Sequence, residues 1–262
     1  MENIYIPKIC KILNVIEETP DIKTFRIDFK ANHTPGQFVE VSVFNFGEAP
    51  ISISSFSNEY IEITVRRVGR VTNAIHRLSE GDFLGIRGPY GNGYPMEKFY
   101  DKDLYIIGGG CGIAPLGSVL SYIEKFREKY KDISIFFGCR SPEDILFKRK
   151  IEIWKEKFNV YLTVDTANEN WKCDVGVVTK ILEKYKVESG NSVALICGPP
   201  IMMRFVIETL KKKNFGDEQI YLSLERYMKC GFGKCGHCMI NDKYICKDGP
   251  VFRYDEAKFL ED

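Results

Sequence analysis

Four cysteines near the C-terminus carry the clearest chemistry in this chain: Cys230, Cys235, Cys238 and Cys246, in the pattern C-x4-C-x2-C-x7-C. The first three have a spacing that holds a [2Fe–2S] cluster. Soft, anionic thiolates stabilise iron and let such a cluster take up one electron at a time. Gly231, Gly233 and Gly236 lie between them, and glycine lets a loop curl until its backbone N–H groups point at cluster sulfurs. Structural zinc also takes four thiolates, usually as two separated C-x2–4-C pairs; a triple with x4 and then x2 fits iron–sulfur better. His237 stands between two of the cysteines, but a Rieske centre needs two histidines on one iron. It reads as an exposed loop residue or a hydrogen-bond donor beside the cluster.

A second constellation is Gly108-Gly109-Gly110-Cys111-Gly112-Ile113-Ala114-Pro115, directly after a buried apolar run. Glycines there let the backbone approach a pyrophosphate, and the N-terminus of a following helix favours its negative charge. The pattern departs from G-x-G-x-x-G, because Ile113 takes the third glycine position, and Gly138-Cys139-Arg140 stands where an acid would bind a ribose. The alternative reading of the loop by itself is a tight turn that needs glycine. Cys197-Gly198-Pro199-Pro200 ends a later strand at the same carboxyl edge, where open α/β sheets bind ligands. Cys197 there is either a neighbour for a nicotinamide ring or a buried strand-end residue.

A third set lies in the first hundred residues. Glu48-Ala49-Pro50-Ile51-Ser52-Ile53-Ser54-Ser55 joins an apolar strand to alternate hydroxyls, a surface able to lie beside a flavin ring. Val68-Gly69-Arg70-Val71-Thr72-Asn73 then leads into a helix and offers N–H groups, a hydroxyl and a guanidinium to phosphates. Many β-turns look similar, so each segment alone is also an ordinary turn. His33 and His76 read as surface residues, and Lys211-Lys212-Lys213 as a solvated helix end that complements the helix dipole.

The elements that must position these residues fall into three segments. Residues 1–100 read as all-β, with runs at Lys8–Ile16, Lys23–Phe29, Gln37–Phe44, Ile51–Ser55, Tyr60–Val68 and Asp82–Arg87, and one helical stretch at Thr72–Leu78. Six short strands separated by turn residues predict a small closed antiparallel barrel. Residues 101–224 alternate apolar strands (Leu104–Ile107, Ile133–Phe137, Val160–Val164, Val193–Cys197, Ile220–Leu224) with helices over Asp144–Lys157, Gly176–Tyr185 and Ile201–Lys213. That rhythm predicts a parallel sheet with crossovers, closed by Ile220–Leu224. Residues 225–262 form a tail too small for its own core, and it carries the four cysteines.

Composition narrows the function. The chain has 262 residues with 37 basic and 36 acidic side chains, a balance that gives no support for nucleic-acid binding. No apolar run approaches the roughly 20 residues needed to span a bilayer, and Met1-Glu2-Asn3-Ile4-Tyr5-Ile6-Pro7 lacks the regions of a signal peptide. A cytoplasmic protein is expected. Nine cysteines, an odd number with four clustered, read as metal ligation rather than disulfides. Cys10, Cys111, Cys139, Cys173 and Cys197 read mostly as small core residues.

The order of the three segments resembles the ferredoxin–NADP reductase superfamily, and the resemblance covers the whole chain. Pro50-Ile51-Ser52 is similar to the end of the family's Arg-x-Tyr-Ser flavin motif, and Gly69 to Thr72 to its flavin-phosphate segment. Gly108 to Pro115 resembles the nicotinamide-nucleotide loop, and Cys197-Gly198-Pro199 the Cys-Gly signature that faces the nicotinamide. The four cysteines followed by Lys247-Asp248-Gly249-Pro250-Val251-Phe252 resemble the electron-transfer subunit of dihydroorotate dehydrogenase. Within that group, Glu225-Arg226-Tyr227-Met228-Lys229-Cys230, Gly233-Lys234-Cys235-Gly236-His237-Cys238 and the short spacer to Cys246 are most similar to the B component of anaerobic sulfite reductase. Sulfhydrogenase gamma subunits share nearly the same tail.

The resemblance implies FAD on the barrel (Pro50 to Ile53, Arg66, Gly69 to Thr72) and NADH or NADPH on the α/β domain, with Cys197 at the reacting ring. It also implies a [2Fe–2S] cluster on the tail. Electrons would pass from nucleotide to FAD to cluster, then to iron–sulfur and sirohaem subunits that reduce sulfite to sulfide. A hydrogenase or dihydroorotate dehydrogenase partner is the alternative. Ala49 stands where the family places an arginine for the flavin pyrophosphate, leaving Arg66, Arg67 and Arg70 as candidates, and Ile51 replaces the tyrosine that stacks on the ring. Arg140 either meets a 2′-phosphate or pairs locally, and NADH is slightly favoured. The reading from a different class is a non-catalytic redox or nucleotide-sensing module with a structural zinc knuckle.

Overall fold

The computed structural model describes residues 3–257; Met1, Glu2 and the last five residues of the expected 225–262 segment lie outside the described residues. The described chain forms two compact units. One runs to Tyr94 and takes in Gly117–Tyr122 and Leu224–Val251; the other comprises Pro95–Leu116, Ile123–Ser223 and the chain from Phe252 on.

In the first unit, β1 (Lys8–Thr19), β2 (Ile22–Ile27), β3 (Phe38–Val43), β4 (Gly47–Ser52), β5 (Ile61–Arg66) and β6 (Phe83–Tyr90) form an antiparallel sheet in the order β4-β3-β6-β1-β2-β5. A bridge between Ile53, just past β4, and Ile63 of β5 ties the two edges together, as the predicted barrel requires. Apolar residues recur on the inward face: Ile12, Phe25, Ile27, Val41, Ile63 and Val65 are fully buried, each contributing roughly 1.5–3 kcal/mol of burial. The helix α1 spans Arg70–Ile75.

The fourth strand starts earlier than the expected Ile51. Its first half, Gly47-Glu48-Ala49, pairs with β3 across a tight turn in which Asn45 has φ 66° and Phe46 N–H donates to the Val43 carbonyl. That half lacks apolar alternation, so pairing with β3 rather than burial makes it a strand. Pro50 is tolerated because β4 is an edge of the sheet and a missing N–H costs no ladder bond there.

The second unit holds β7 (Asp103–Gly109), α2 (Ile113–Lys125, whose middle counts with the first unit), β8 (Ile133–Cys139), α3 (Lys148–Lys157), β9 (Asn159–Val164), β10 (Asp174–Val175), α4 (Val178–Lys184), β11 (Ser192–Cys197), α5 (Pro200–Lys212) and β12 (Ile220–Ser223). Strands β7, β8 and β11 are near-continuous apolar runs buried on both faces, as a sheet covered by crossover helices demands. Helix α3 begins four residues after the expected Asp144. The Asp144 carboxylate instead accepts from the Ser141 N–H and hydroxyl, and Phe147 takes a left-handed φ of 58° before the helix starts.

The sheet order is β10-β9-β8-β7-β11-β12-β15, where β15 is Val251–Arg253. Ile220–Ser223 therefore does not close the sheet; a strand from the tail lies outside it. The tail buries Val251 and Phe252 by joining that sheet, having no core of its own. A short hairpin, β13 (Met239–Ile240) with β14 (Lys243–Tyr244), precedes β15, and α6 (Tyr254–Ala257) follows it.

Candidate functional site

Within the second unit, strands run β9-β8-β7 to one side of the centre and β11-β12 to the other. The order reverses between β7 and β11, and that switch point is where an open parallel sheet leaves a crevice at its carboxyl edge. The expected nucleotide residues converge there. Gly108 of β7 is the register partner of Cys197 of β11. A three-residue 3-10 turn, Gly110–Gly112, then leads into α2, with Gly110 at φ 53°.

Gly112 is required by proximity. A side-chain carbon there would collide with the Cys197 carbonyl and the Gly198 N–H. Ile113, Ala114 and Pro115 open α2 and are buried. Gly109 and Gly198 together form a notch filled by the Met202 side chain: a Cβ on Gly198 would lie 2.6 Å from Met202 Cε. Met202, the third residue of α5, is not a candidate from sequence, where it looks like one more apolar residue of a helix. Its place over two glycines at the switch point can be read only from the pairing of β7 with β11.

Other candidates on this edge separate. Cys197 is buried at 1% exposure and Cys111 is half-buried. Arg140 follows the last residue of β8 and is exposed, one strand away from Gly109. Pro199 is exposed at the start of α5. Of the scattered cysteines, Cys10 and Cys139 are buried as expected, and burial pushes their thiols up to about 11 and about 12. Cys173 is exposed instead.

In the first unit, the barrel candidates lie on and just past β4, at the end of β5 and at the turn into α1. Pro50, Ile51 and Ser52 line β4 half-buried, and Ile53 is fully buried. The Thr72 hydroxyl accepts from Val68 N–H (3.0 Å) and Gly69 N–H (2.9 Å) and also lies 3.1 Å from the Gly69 carbonyl. It therefore organises the turn from Val68 into the start of α1 from inside. The expected arginines have local partners: Arg66 Nε donates to Asp21 at 2.9 Å, and Arg70 donates to the Asn45 carbonyl at 2.8 Å. Arg67 is exposed on the same stretch, and Val71 is half-buried. Two histidines depart from expectation. His33 is buried with Nε2 2.9 Å from the Ser55 carbonyl, and His76 is half-buried against the Val65 carbonyl.

The four clustered cysteines belong to the same unit as the barrel. They come together as two pairs. The Cys230 thiol interacts with Cys235, and the Cys246 thiol with Cys238. The β13–β14 hairpin is what makes the short x7 spacer work: Asn241, at φ 49°, turns the chain. Cys246 N–H then donates to Cys238 Sγ at 3.4 Å. Gly233 N–H points at Cys246 Sγ (3.1 Å) and Lys234 N–H at Cys230 Sγ (3.3 Å). Cys238 and Cys246 are buried, Cys230 is half-buried and Cys235 is exposed.

The electrostatics of the pairs differ. Burial pushes the Cys230 thiol up, but N–H groups of Cys235, Phe232 and Lys234 outweigh it and bring the thiol down to about 6. Burial and the bond to Cys238 push Cys246 up to about 12. Among the described residues, no three or more Cys, His, Asp or Glu side chains converge on a single-ion site. Two thiol pairs with N–H groups aimed at their sulfurs suit a centre of two metals, each held by two thiolates. His237 is exposed and packs edge-on against Tyr227.

Beside the pairs runs a groove of about 980 Å³, lined by Tyr5, Ile9, Phe44, Phe83, Cys230 and Cys235 among others. Behind Cys230 lies a polar group that sequence reasoning does not single out: Glu40, Glu48 and Arg87. Glu40 is 1% exposed, its Oε1 lacks a hydrogen-bond partner, and burial followed by the charge of Glu48 raises its carboxyl to about 8.

Comparison with known proteins matches residues 106–208 to the oxidoreductase NAD-binding domain and residues 225–258 to the iron–sulfur cluster binding domain of dihydroorotate dehydrogenase B. The chain is 43% identical to sulfhydrogenase 2 subunit gamma of Pyrococcus furiosus, over 94% of each chain. It is 35% identical to a probable dihydroorotate dehydrogenase B (NAD(+)) electron transfer subunit of Methanocaldococcus jannaschii, covering 98% of this chain and 93% of that protein. Among solved structures it is similar to an NADH-dependent reduced ferredoxin–NADP oxidoreductase described for flavin-based electron bifurcation. The TM-score is 0.78 at 25% identity, covering 96% of this chain and 92% of that one.

Proposed function

The chain belongs to the family of NAD-linked, iron–sulfur electron-transfer subunits that includes sulfhydrogenase gamma and dihydroorotate dehydrogenase B electron transfer subunits, and we propose that it moves electrons from NADH through FAD and a [2Fe–2S] cluster to a partner subunit. The observation that carries the reading is the gathering of the cysteines in the same compact unit as the barrel, with the N–H groups of Gly233, Lys234 and Cys246 aimed at the sulfurs of Cys246, Cys230 and Cys238. FAD is argued from the ferredoxin–NADP reductase-like fold shared with the bifurcating oxidoreductase. When bound, FAD would accept a hydride and release its electrons singly, and the cluster would take them one at a time.

The residues of this chain supply binding and orientation. Gly108 to Pro115 would bring backbone N–H groups to the nucleotide pyrophosphate, because Gly112 lets the loop close on the end of β11. Cys197, with Gly198 and Pro199, would flank the nicotinamide. Pro50 to Ile53 would lie along the flavin ring, with Gly69 to Thr72 at its phosphates, and Arg66 and Arg70 would supply the charge that Ala49 lacks by leaving Asp21 and the Asn45 carbonyl. Arg140 would lie at the ribose side of the nucleotide. Cys230, Cys235, Cys238 and Cys246 would hold the two irons, with Gly233 and Lys234 N–H groups bonded to their sulfurs.

The recipient is proposed to be a redox subunit of a hydrogenase or dihydroorotate dehydrogenase complex. The relatives named above carry those activities in their names, whereas the expected sirohaem partner and sulfite reduction find no support in them. Among the described residues no helix is long and apolar enough to cross a membrane.

The test is anaerobic. The chain, loaded with FAD, iron and sulfide, is mixed with NADH or NADPH while flavin absorbance and the electron paramagnetic resonance (EPR) of the reduced cluster are followed. Bleaching of the flavin together with appearance of the cluster signal supports the reading; a chain that neither nucleotide reduces is not this kind of carrier.

A further inference from the structure

Arg87 lies on β6, opposite Glu40 in the β3–β6 ladder, and is 7% exposed. A buried guanidinium is costly unless every N–H finds an acceptor, and here the acceptors divide into two groups. On one side, Nε and one terminal nitrogen grip the two oxygens of Glu48, with the Nε bond at 2.9 Å. The other terminal nitrogen donates to the Cys230 carbonyl (3.1 Å) and lies against the Tyr90 hydroxyl (3.2 Å) and the Ile4 carbonyl (3.3 Å). The rings of Tyr90 and Phe232 lie 5.6 and 5.9 Å from the guanidinium carbon. Phe232 comes two residues after Cys230, so Arg87 holds the first turn of the cysteine loop by its backbone and by its aromatic side chain.

The orientation is electrically polar. The carboxylate of Glu48 sits on the far side of the guanidinium, and the nitrogen that faces the loop presents positive charge to the backbone of Cys230. Positive charge near an iron–sulfur centre favours its reduced form, because reduction adds negative charge; net charge and hydrogen bonding are the levers a protein has on such a potential. A loop that needed only mechanical attachment could be held by apolar packing at no desolvation cost.

We propose that Arg87, aimed by Glu48, is a positioning residue that fixes the Cys230 turn on the barrel and raises the potential at which the cluster accepts its electron. The inference rests on the electron-carrier reading, since it needs a cluster on these cysteines. Its signature is a pair of opposite shifts. Arg87→Met removes the cation and leaves the Glu48 carboxylate, so the cluster's midpoint potential falls. Glu48→Gln, made together with Glu40→Gln so that the neighbouring buried carboxyl cannot ionise in its place, removes the carboxylate and leaves the cation, so the potential rises. Arg87→Lys keeps the charge but not the fork that spans Glu48 and Cys230; its potential stays closer to wild type than that of Arg87→Met.

The experiment is a redox titration of the full chain loaded with FAD and cluster, wild type and the three variants, read by the EPR of the reduced cluster with the flavin potential measured in the same samples. Opposite shifts for Arg87→Met and the double variant Glu40→Gln with Glu48→Gln, with the flavin potential unmoved, support the proposal. Shifts of the same sign, or no shift in clusters that are present, overturn it. If Arg87→Met fails to hold a cluster, an unshifted double variant overturns it equally. If the wild-type chain takes up no cluster, the electron-carrier reading falls and takes this inference with it; if wild type is loaded and the variants do not separate, only the inference falls.

Discussion

Glu40 gives a prediction whose size follows from its surroundings. Its carboxyl is 1% exposed, with one oxygen unpartnered, beneath the loop that begins at Gly231. Burial and then the Glu48 charge carry its pKa from 4.5 to about 8, against an opposing pull from Arg87. Between those two values the folded chain keeps a proton that the unfolded chain has released. Stability therefore falls as pH rises through that window, by about 1.4 kcal/mol per pH unit, and levels off above the folded value. Glu40→Gln stays neutral in both states and escapes the loss. The stability advantage of the variant over wild type should therefore widen by roughly 2–3 kcal/mol between pH 6 and pH 8. Urea unfolding of both proteins across that range measures it, and other titrating groups cancel in the difference. A difference that stays constant to within about 0.5 kcal/mol would show that Glu40 ionises normally and that the buried-carboxyl argument is wrong.

Other outcomes follow from the same geometry. Cys235→Ser should abolish the cluster signal while leaving FAD bound and reducible by NADH; loss of FAD as well would make the cysteines a structural staple. Gly112→Ala places a methyl group against the Cys197 carbonyl, so it should cost about 1–3 kcal/mol of stability and weaken NADH binding in a fluorescence titration. Unchanged binding would remove the glycine loop from the nucleotide site. Phe25→Ala empties a fully buried position in the barrel and should cost about 3–5 kcal/mol in urea unfolding.

The parts legible in sequence are those coded locally. The pattern of Lys23–Phe29 and the apolar runs of Leu104–Ile107 and Val193–Cys197 mark the two sheets without reference to any partner strand. The glycine loop and Cys197 each carry a local signal, and chain order alone puts both at the carboxyl edge of a parallel sheet. What stays hidden depends on distant pairing. Gly47-Glu48-Ala49 becomes a strand only against β3, and Val251–Arg253 becomes one only beside β12. Arg87 looks like any charged residue near a strand end until Glu48 and Cys230, remote in sequence, are brought to it. His33 reads as a surface residue because nothing local shows that Ser55 lies over it. One missed signal is local: Asn241-Asp242 between two short β-prone pairs is a hairpin turn, and it explains how Cys238 and Cys246 meet across so short a spacer.

Reducing equivalents are proposed to enter at a nucleotide site and to leave at the paired cysteines. Anaerobic stepwise addition of NADH to the fully loaded chain, with flavin absorbance and cluster EPR recorded on each sample, tests it most directly. Both centres are expected to be reduced in wild type, whereas in Cys235→Ser the flavin is reduced and no cluster signal develops. A wild-type chain whose flavin bleaches with NADH while an assembled cluster stays oxidised until a stronger chemical reductant is added would contradict it.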